Sequence, residues 1–177
     1  MAVVPKSDNQ RVKQLAASLS AESLMTVPCQ PLPDKPVLEC FRIVPEQVQA
    51  HGGKQVTGWT IWEWPNVLIE AEFHAVWQRP DGTLVDITPR TQSFESILFL
   101  PDPKKVYRGR QVDNVRRALS DSLLVNRLIQ ASEELFRAMN KGDLADQHGE
   151  IEATPAIIKA YERVAKAHQQ VVTKFGI

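Results

Sequence analysis

A chain of 177 residues with 43% hydrophobic and 24% charged side chains is long enough to bury a core and too apolar for wholesale disorder. Its 21 basic and 21 acidic residues cancel, which excludes a dominant nucleic-acid interface, because such an interface needs a clustered basic excess. No run approaches the roughly 18 apolar residues of a membrane helix, and the first residues lack the apolar core of a signal peptide. The expected location is therefore the cytoplasm, where Cys29 and Cys40 are reduced thiols.

In chain order, residues from about Asn9 to Met25 carry Val12, Leu15, Ala16, Leu19 and Leu24 on a ragged apolar stripe, which predicts a first helix. Four prolines between Val27 and Pro36 remove donors and favour extended backbone before each ring, so this stretch reads as an ordered crossing loop. A short helix is expected from about Cys40 to Ala50, closed by Gly52-Gly53, with Pro45 tolerable only in the first turn and His51 favoured at the C-terminal end. Lys54 to Trp64, Val67 to Gln78 and Thr83 to Thr88 are rich in β-branched and aromatic residues and predict three strands, with Ser96 to Leu100 a fourth. The basic run Lys104 to Arg110 reads as a solvated loop. Helical periodicity follows over Val112 to Leu119 and Leu123 to Met139, and Thr154-Pro155 caps a last helix whose stripe is Ile158, Tyr161, Ala165, His168 and Val172. His148 falls in a polar loop.

The expected architecture is a single α+β domain over residues 1–177. A short helix precedes a small antiparallel sheet of three to four strands at about residues 38–100. A helical part at about residues 110–177 packs on that sheet. The helices should pair through Leu124, Leu128, Leu135, Ile158, Tyr161 and Val172.

The second strand alternates: Ile69, Ala71, Phe73, Ala75 and Trp77 form one face, and Glu70, Glu72 and His74 the other. The turn Arg79-Pro80-Asp81-Gly82-Thr83 has the composition of a three-residue hairpin loop with a glycine bulge. Pairing Arg79 with Thr83 sets Trp77 opposite Val85, Ala75 opposite Ile87 and Glu72 opposite Arg90. His74 and Asp86 then become diagonal neighbours on one face, roughly 5–8 Å apart at Cβ. An aspartate at that distance can orient an imidazole as a general base. Cys40 stands at the start of the preceding helix, where backbone N–H groups can hold a thiolate and an oxyanion.

The order of Cys40 at a helix start, His74 in His-Ala-Val-Trp and Asp86 in Asp-Ile-Thr resembles the transglutaminase-like branch of the papain-like cysteine hydrolases, over roughly residues 38–90. The resemblance implies a catalytic Cys40–His74–Asp86 constellation that forms a thioester with an acyl substrate and needs no cofactor. Val76 interrupts the family's His-Ala-Trp, and Gln30 is the candidate side-chain donor to an oxyanion. The tryptophan-rich segment also resembles a group of bacterial and phage proteins without an assigned activity. Trp59, Trp62, Trp64 and Glu72 are expected to line a substrate groove, with a peptide or protein as partner and neither nucleic acid nor membrane. Two other readings stand beside the cysteine amidase or acyl transferase. One is a non-catalytic module that binds a peptide or protein in that groove. The other is a metal-dependent enzyme using Glu70, Glu72 and His74, which share a strand face at alternate positions.

Overall fold

The computed structural model describes residues 2–146 and 152–176, so His148 lies outside the described residues. Among the described residues it is an α+β structure with four α-helices and six strands, and it divides into two compact units. The larger unit holds residues 4–62 and 71–107; the other holds residues 1–3, 63–70 and 108–177.

In the larger unit, α1 (Gln10–Leu19) starts at Asn9, whose side chain accepts from the Arg11 N–H, and it buries Val12, Leu15 and Ala16. It stops well short of Met25, because Ser20 turns extended while its N–H bonds the Ala16 carbonyl. The chain then enters a strand that sequence patterning missed, β1 (Met25–Pro28), paired antiparallel with β5 (Ser96–Pro101) from Met25 opposite Phe99 to Pro28 opposite Ser96. Pro28 is its last residue, where a missing donor costs little. The helix α2 (Cys40–His51) begins at Cys40 as expected. Pro45 is not in its first turn. It sits inside the helix and denies the Phe41 carbonyl its usual partner. Gly52 ends α2 at positive φ, and Gly53 follows at φ 82°, where a Cβ would collide with the Gln78 carbonyl.

The strands β2 (Lys54–Trp64) and β3 (Leu68–Gln78) form a hairpin, and with β4 (Leu84–Val85) the sheet order is β1-β5-β2-β3-β4. The next hairpin has the predicted register: Trp77 pairs with Val85 and Gln78 with Leu84, Arg79 N–H bonds Thr83 O, and Gly82 lies at φ 89°. The strand β4 is only Leu84–Val85, not Thr83 to Thr88. After Val85 the backbone bonds the proline-rich segment, with Asp86 N–H to Pro28 O, Gln30 N–H to Asp86 O and Leu32 N–H to Ile87 O. That crossing is thereby pinned beside Asp86.

The strand β3 is covered on both faces between Phe73 and Trp77. Ala75 and Trp77 pack with Val85, Ile87 and the α2 residues Ile43 and Val44. Val76, on the opposite side, packs with Val27, Trp62, Ile97 and Phe99. The face of β3 that carries Glu72 and His74 is therefore partly interior.

In the smaller unit, the segment predicted as a helix over Val112 to Leu119 contains a strand instead, β6 (Val115–Ala118), which pairs with β3. Its Leu119 N–H continues to Val67 O. The helices α3 (Leu123–Met139) and α4 (Pro155–Phe175) pack on each other, with Arg163 paired to Glu134 and Lys174 to Ser122, which makes them antiparallel. Thr154 caps α4 by accepting from Ile157 N–H, with Pro155 first in the helix. The stripe buried by α4 is Ile157, Ala160, Ala167 and Val171, one position away from the predicted one. Ile158 and Tyr161 are 49% and 65% exposed. Val67 and Leu68 pack against Val125, Leu128, Ala167 and Val171.

Candidate active site

His74 and Asp86 meet because the three-residue turn sets the hairpin register. His74 Nε2 donates to Asp86 Oδ1 at 3.0 Å, with the two residues 2% and 1% exposed. The same Oδ1 accepts from the Thr88 N–H at 3.1 Å. Asp86 Oδ2 stands 3.5 Å from Arg90 Nε, an ion pair without hydrogen-bond geometry. Arg90 also pairs with Glu72 at 3.1 Å, as the register placed it, and its guanidinium lies 5.0 Å over the Trp62 ring. Arg90 Nη2 approaches His74 Nε2 to 3.4 Å. With the Nε2 proton directed at Asp86, that is a contact of two donors, and Nδ1 is the nitrogen left for proton exchange.

Cys40 is the first residue of α2, 4% exposed, in the apolar cluster with Ile43, Val44, Ala75 and Trp77. The N–H groups of Cys40 and Phe41 have no intrahelical acceptor at that position, and Glu39 supplies no side-chain cap. Electrostatics tie Cys40 to the imidazole. Burial alone would push the His74 pKa down, yet the charges of Cys40 and Asp86 and hydrogen bonds to both raise it to about 10. Burial would likewise push Asp86 up, but the charge and hydrogen bond of His74, the charge of Arg90 and the Thr88 N–H hold it below the ordinary carboxylate range. These influences favour the imidazolium form of the ring, which sits between Asp86 and the Cys40 sulfur.

The other expected residues are engaged elsewhere. Gln30 accepts from Arg79 at 2.6 Å. Glu72 holds Arg90 and the Trp62 indole N–H, the latter at 2.7 Å. Trp59 is buried with its N–H on Asp102 at 3.0 Å, and Trp62 is buried, so neither offers a ring face to solvent. In the smaller unit, Trp64 is half-buried and stacks on His168 at 5.1 Å, and Glu70 is taken by Arg116 at 2.9 Å and by Asn114. Among the described residues no group of three His, Cys, Asp or Glu side chains converges as a metal site, and no helix is long and apolar enough to cross a membrane.

Three residues that the sequence did not assign to the site belong to it. Arg90 closes the ion network, and only its register opposite Glu72 marked it. Thr88 orients Asp86 through its backbone, while its own hydroxyl is buried and without a partner among the described residues. Cys29 bridges to Asp86 in parallel, and burial followed by the Asp86 charge pushes its thiol up to about 11. Cys29, Thr88, Arg90 and Phe94 line a cavity of about 100 Å³. Comparison with protein-family models, curated proteins and solved structures finds no match.

Proposed function

We propose that the protein is a cysteine-dependent amide hydrolase or acyl transferase, with Cys40 as nucleophile, His74 as acid–base and Asp86 as the group that orients it. One observation carries this reading: the buried His74 ring is held by Asp86 at 3.0 Å through Nε2, and Cys40 at the start of α2 clusters with Ala75, the next residue of the same strand. In the reaction, the proton of Cys40 resides on His74, the thiolate sulfur bonds to the acyl carbon, and the carbonyl electron pair moves onto oxygen, facing the first N–H groups of α2. When the pair returns, the bond to the leaving amine breaks, and His74 gives that nitrogen its proton. The thioester then passes its acyl group to water or to a second amine, with His74 now taking the proton. The order of the three residues along the chain supports the likeness to transglutaminase-like enzymes, and a peptide or protein amide is the substrate class that likeness implies. With Cys40 buried, the acyl group reaches sulfur only after the side chains above it shift.

Competitive alkylation tests this. Iodoacetamide at neutral pH, mapped by peptide mass, should modify Cys40 in preference to Cys29; His74→Ala should slow the reaction strongly, and Asp86→Asn less. A Cys40 that resists alkylation in the folded protein overturns the catalytic reading. A non-catalytic peptide- or protein-binding module then takes its place, a reading favoured by the burial of all three residues.

A further inference from the structure

Gln30, the side-chain donor expected for the oxyanion, is exposed, and its Oε1 accepts from Arg79. The loop after β5 brings another candidate to the start of α2. Asp102 anchors this loop: its N–H bonds Thr57 O at 2.9 Å, and its carboxylate takes the Trp59 indole N–H at 3.0 Å and the Lys104 N–H at 3.2 Å. Thr57 Oγ1 donates to the Lys105 carbonyl at 2.9 Å, which fixes the backbone two residues before Tyr107. From there Tyr107 lies flat on Phe41, with centroids 4.0 Å apart and planes 11° from parallel. Phe41 in turn stacks on Phe73 of β3 at 5.0 Å. Phe41 directly follows Cys40, so the Tyr107 ring lies against the first turn of α2 and ends in a half-buried phenol; Phe73 stands on the face of β3 opposite His74.

We propose that Tyr107 is a catalytic residue of the Cys40 site, its phenol O–H donating to the oxyanion alongside the N–H groups of α2. This role rests on the acyl-transfer reading above. It is consistent with the phenol's surroundings, where burial, and then the charges of Cys40 and Glu39, disfavour its ionised form and keep the proton on oxygen. A neutral phenol is a donor, and a donor aimed at developing charge in a water-poor site is worth far more than one in water.

Two probes separate this role from mere packing. The chromogenic ester p-nitrophenyl acetate acylates sulfur through a tetrahedral oxyanion: the S–C bond forms, the carbonyl pair moves to oxygen, and its return expels p-nitrophenolate with the bonding electrons. Iodoacetamide alkylates the same sulfur at a saturated carbon, displacing iodide, and forms no oxyanion. Both are run on the unaltered protein with modification at Cys40 followed by peptide mass, and with Cys40→Ala as blank. Tyr107→Phe keeps the ring and its stack and removes only the hydroxyl. It should slow acylation on the order of 100-fold, the lower end of what a lost oxyanion donor costs, and leave the alkylation rate within about two-fold. Acylation unchanged, or both rates falling together, overturns the role of Tyr107 while the cysteine chemistry stands. A parent protein whose Cys40 reacts with neither probe overturns the acyl-transfer reading, and the role of Tyr107 goes with it.

Discussion

Replacing Asp86 with asparagine removes one charge and almost no volume, which isolates the electrostatics of the buried network. The amide oxygen can still accept from His74 and from the Thr88 N–H, which both bond Oδ1. The amide nitrogen replaces Oδ2, 3.5 Å from Arg90 Nε, so a donor faces a donor where an ion pair stood. Removing one member of a buried ion pair costs about 3–5 kcal/mol. Arg90 keeps Glu72 at 3.1 Å, which argues for the lower end, about 3 kcal/mol. For a chain of this size that is roughly 6–12 °C in Tm. Urea denaturation and calorimetry at pH 7 would measure it.

The sign with pH is also determined. The Asp86 pKa is depressed in the folded protein, so its contribution is present above its unfolded value, near 3.8, and is lost as pH falls through the folded one. The difference between wild type and Asp86→Asn should therefore shrink on acidification below about pH 4. His74 runs the opposite way: its pKa is raised, so its contribution is full below about 6.5 and disappears as pH rises through about 10. Two of the influences that raise it come from Asp86, so ring nitrogen shifts in NMR should show His74 titrating at lower pH in the variant. A loss below about 0.5 kcal/mol at pH 7, or a difference that does not change with pH, would refute the buried charge network.

Two further outcomes follow from burial. Ile157→Ala should destabilise by about 2–4 kcal/mol in chemical denaturation, as a buried aliphatic truncation does, whereas the half-exposed neighbour Ile158→Ala should stay within about 1 kcal/mol; equal losses would mean that the face of α4 is misassigned. Cys29 should alkylate slowly at pH 8 and gain about ten-fold per pH unit until about 11, where its thiol titrates, and a plateau near pH 9 would contradict its burial beside Asp86.

The legible parts of the fold were those set by local chemistry. Gly82 must take positive φ in a three-residue loop, and once it does, the register follows by alternation. That is why the pairing of Trp77 with Val85 and the meeting of His74 with Asp86 and of Glu72 with Arg90 could be read from residue types. Thr154-Pro155 and Gly52-Gly53 likewise marked helix ends by what their backbones allow. The unread parts were decided at long range. The Met25–Pro28 strand has two exposed neighbours for its one buried Val27 and ends in proline, and only pairing with β5 makes it a strand. Val115–Ala118 contains two arginines and an alanine, good helix formers, and is drawn into extended form because β3 offers it an edge. On α4, Ile157 and Ile158 are adjacent, so apolar periodicity alone cannot say which one faces α3.

The site divides along the same line. Alternation assigned His74 and Glu72 to one face of β3 but could not say whether that face meets water. That depends on β1 and β5, which arrive from distant parts of the chain and place Val27, Ile97 and Phe99 beside Val76. Burial changes the chemistry of the pair. An exposed His–Asp contact would contribute little, whereas in the buried one the charges of Cys40 and Asp86 raise the His74 pKa to about 10 against burial, and Arg90 stands 3.5 Å from the second Asp86 oxygen. The tryptophans show the converse. Sequence placed them together, and the sheet spends Trp59 and Trp62 on packing and on hydrogen bonds to Asp102 and Glu72. Glu72 is thus joined to Trp62 and Arg90. For the proposed acyl transfer, the tryptophan-rich strand therefore offers no exposed ring at Trp59 or Trp62, and the half-buried aromatic rings at the start of α2 are those of Phe41 and Tyr107.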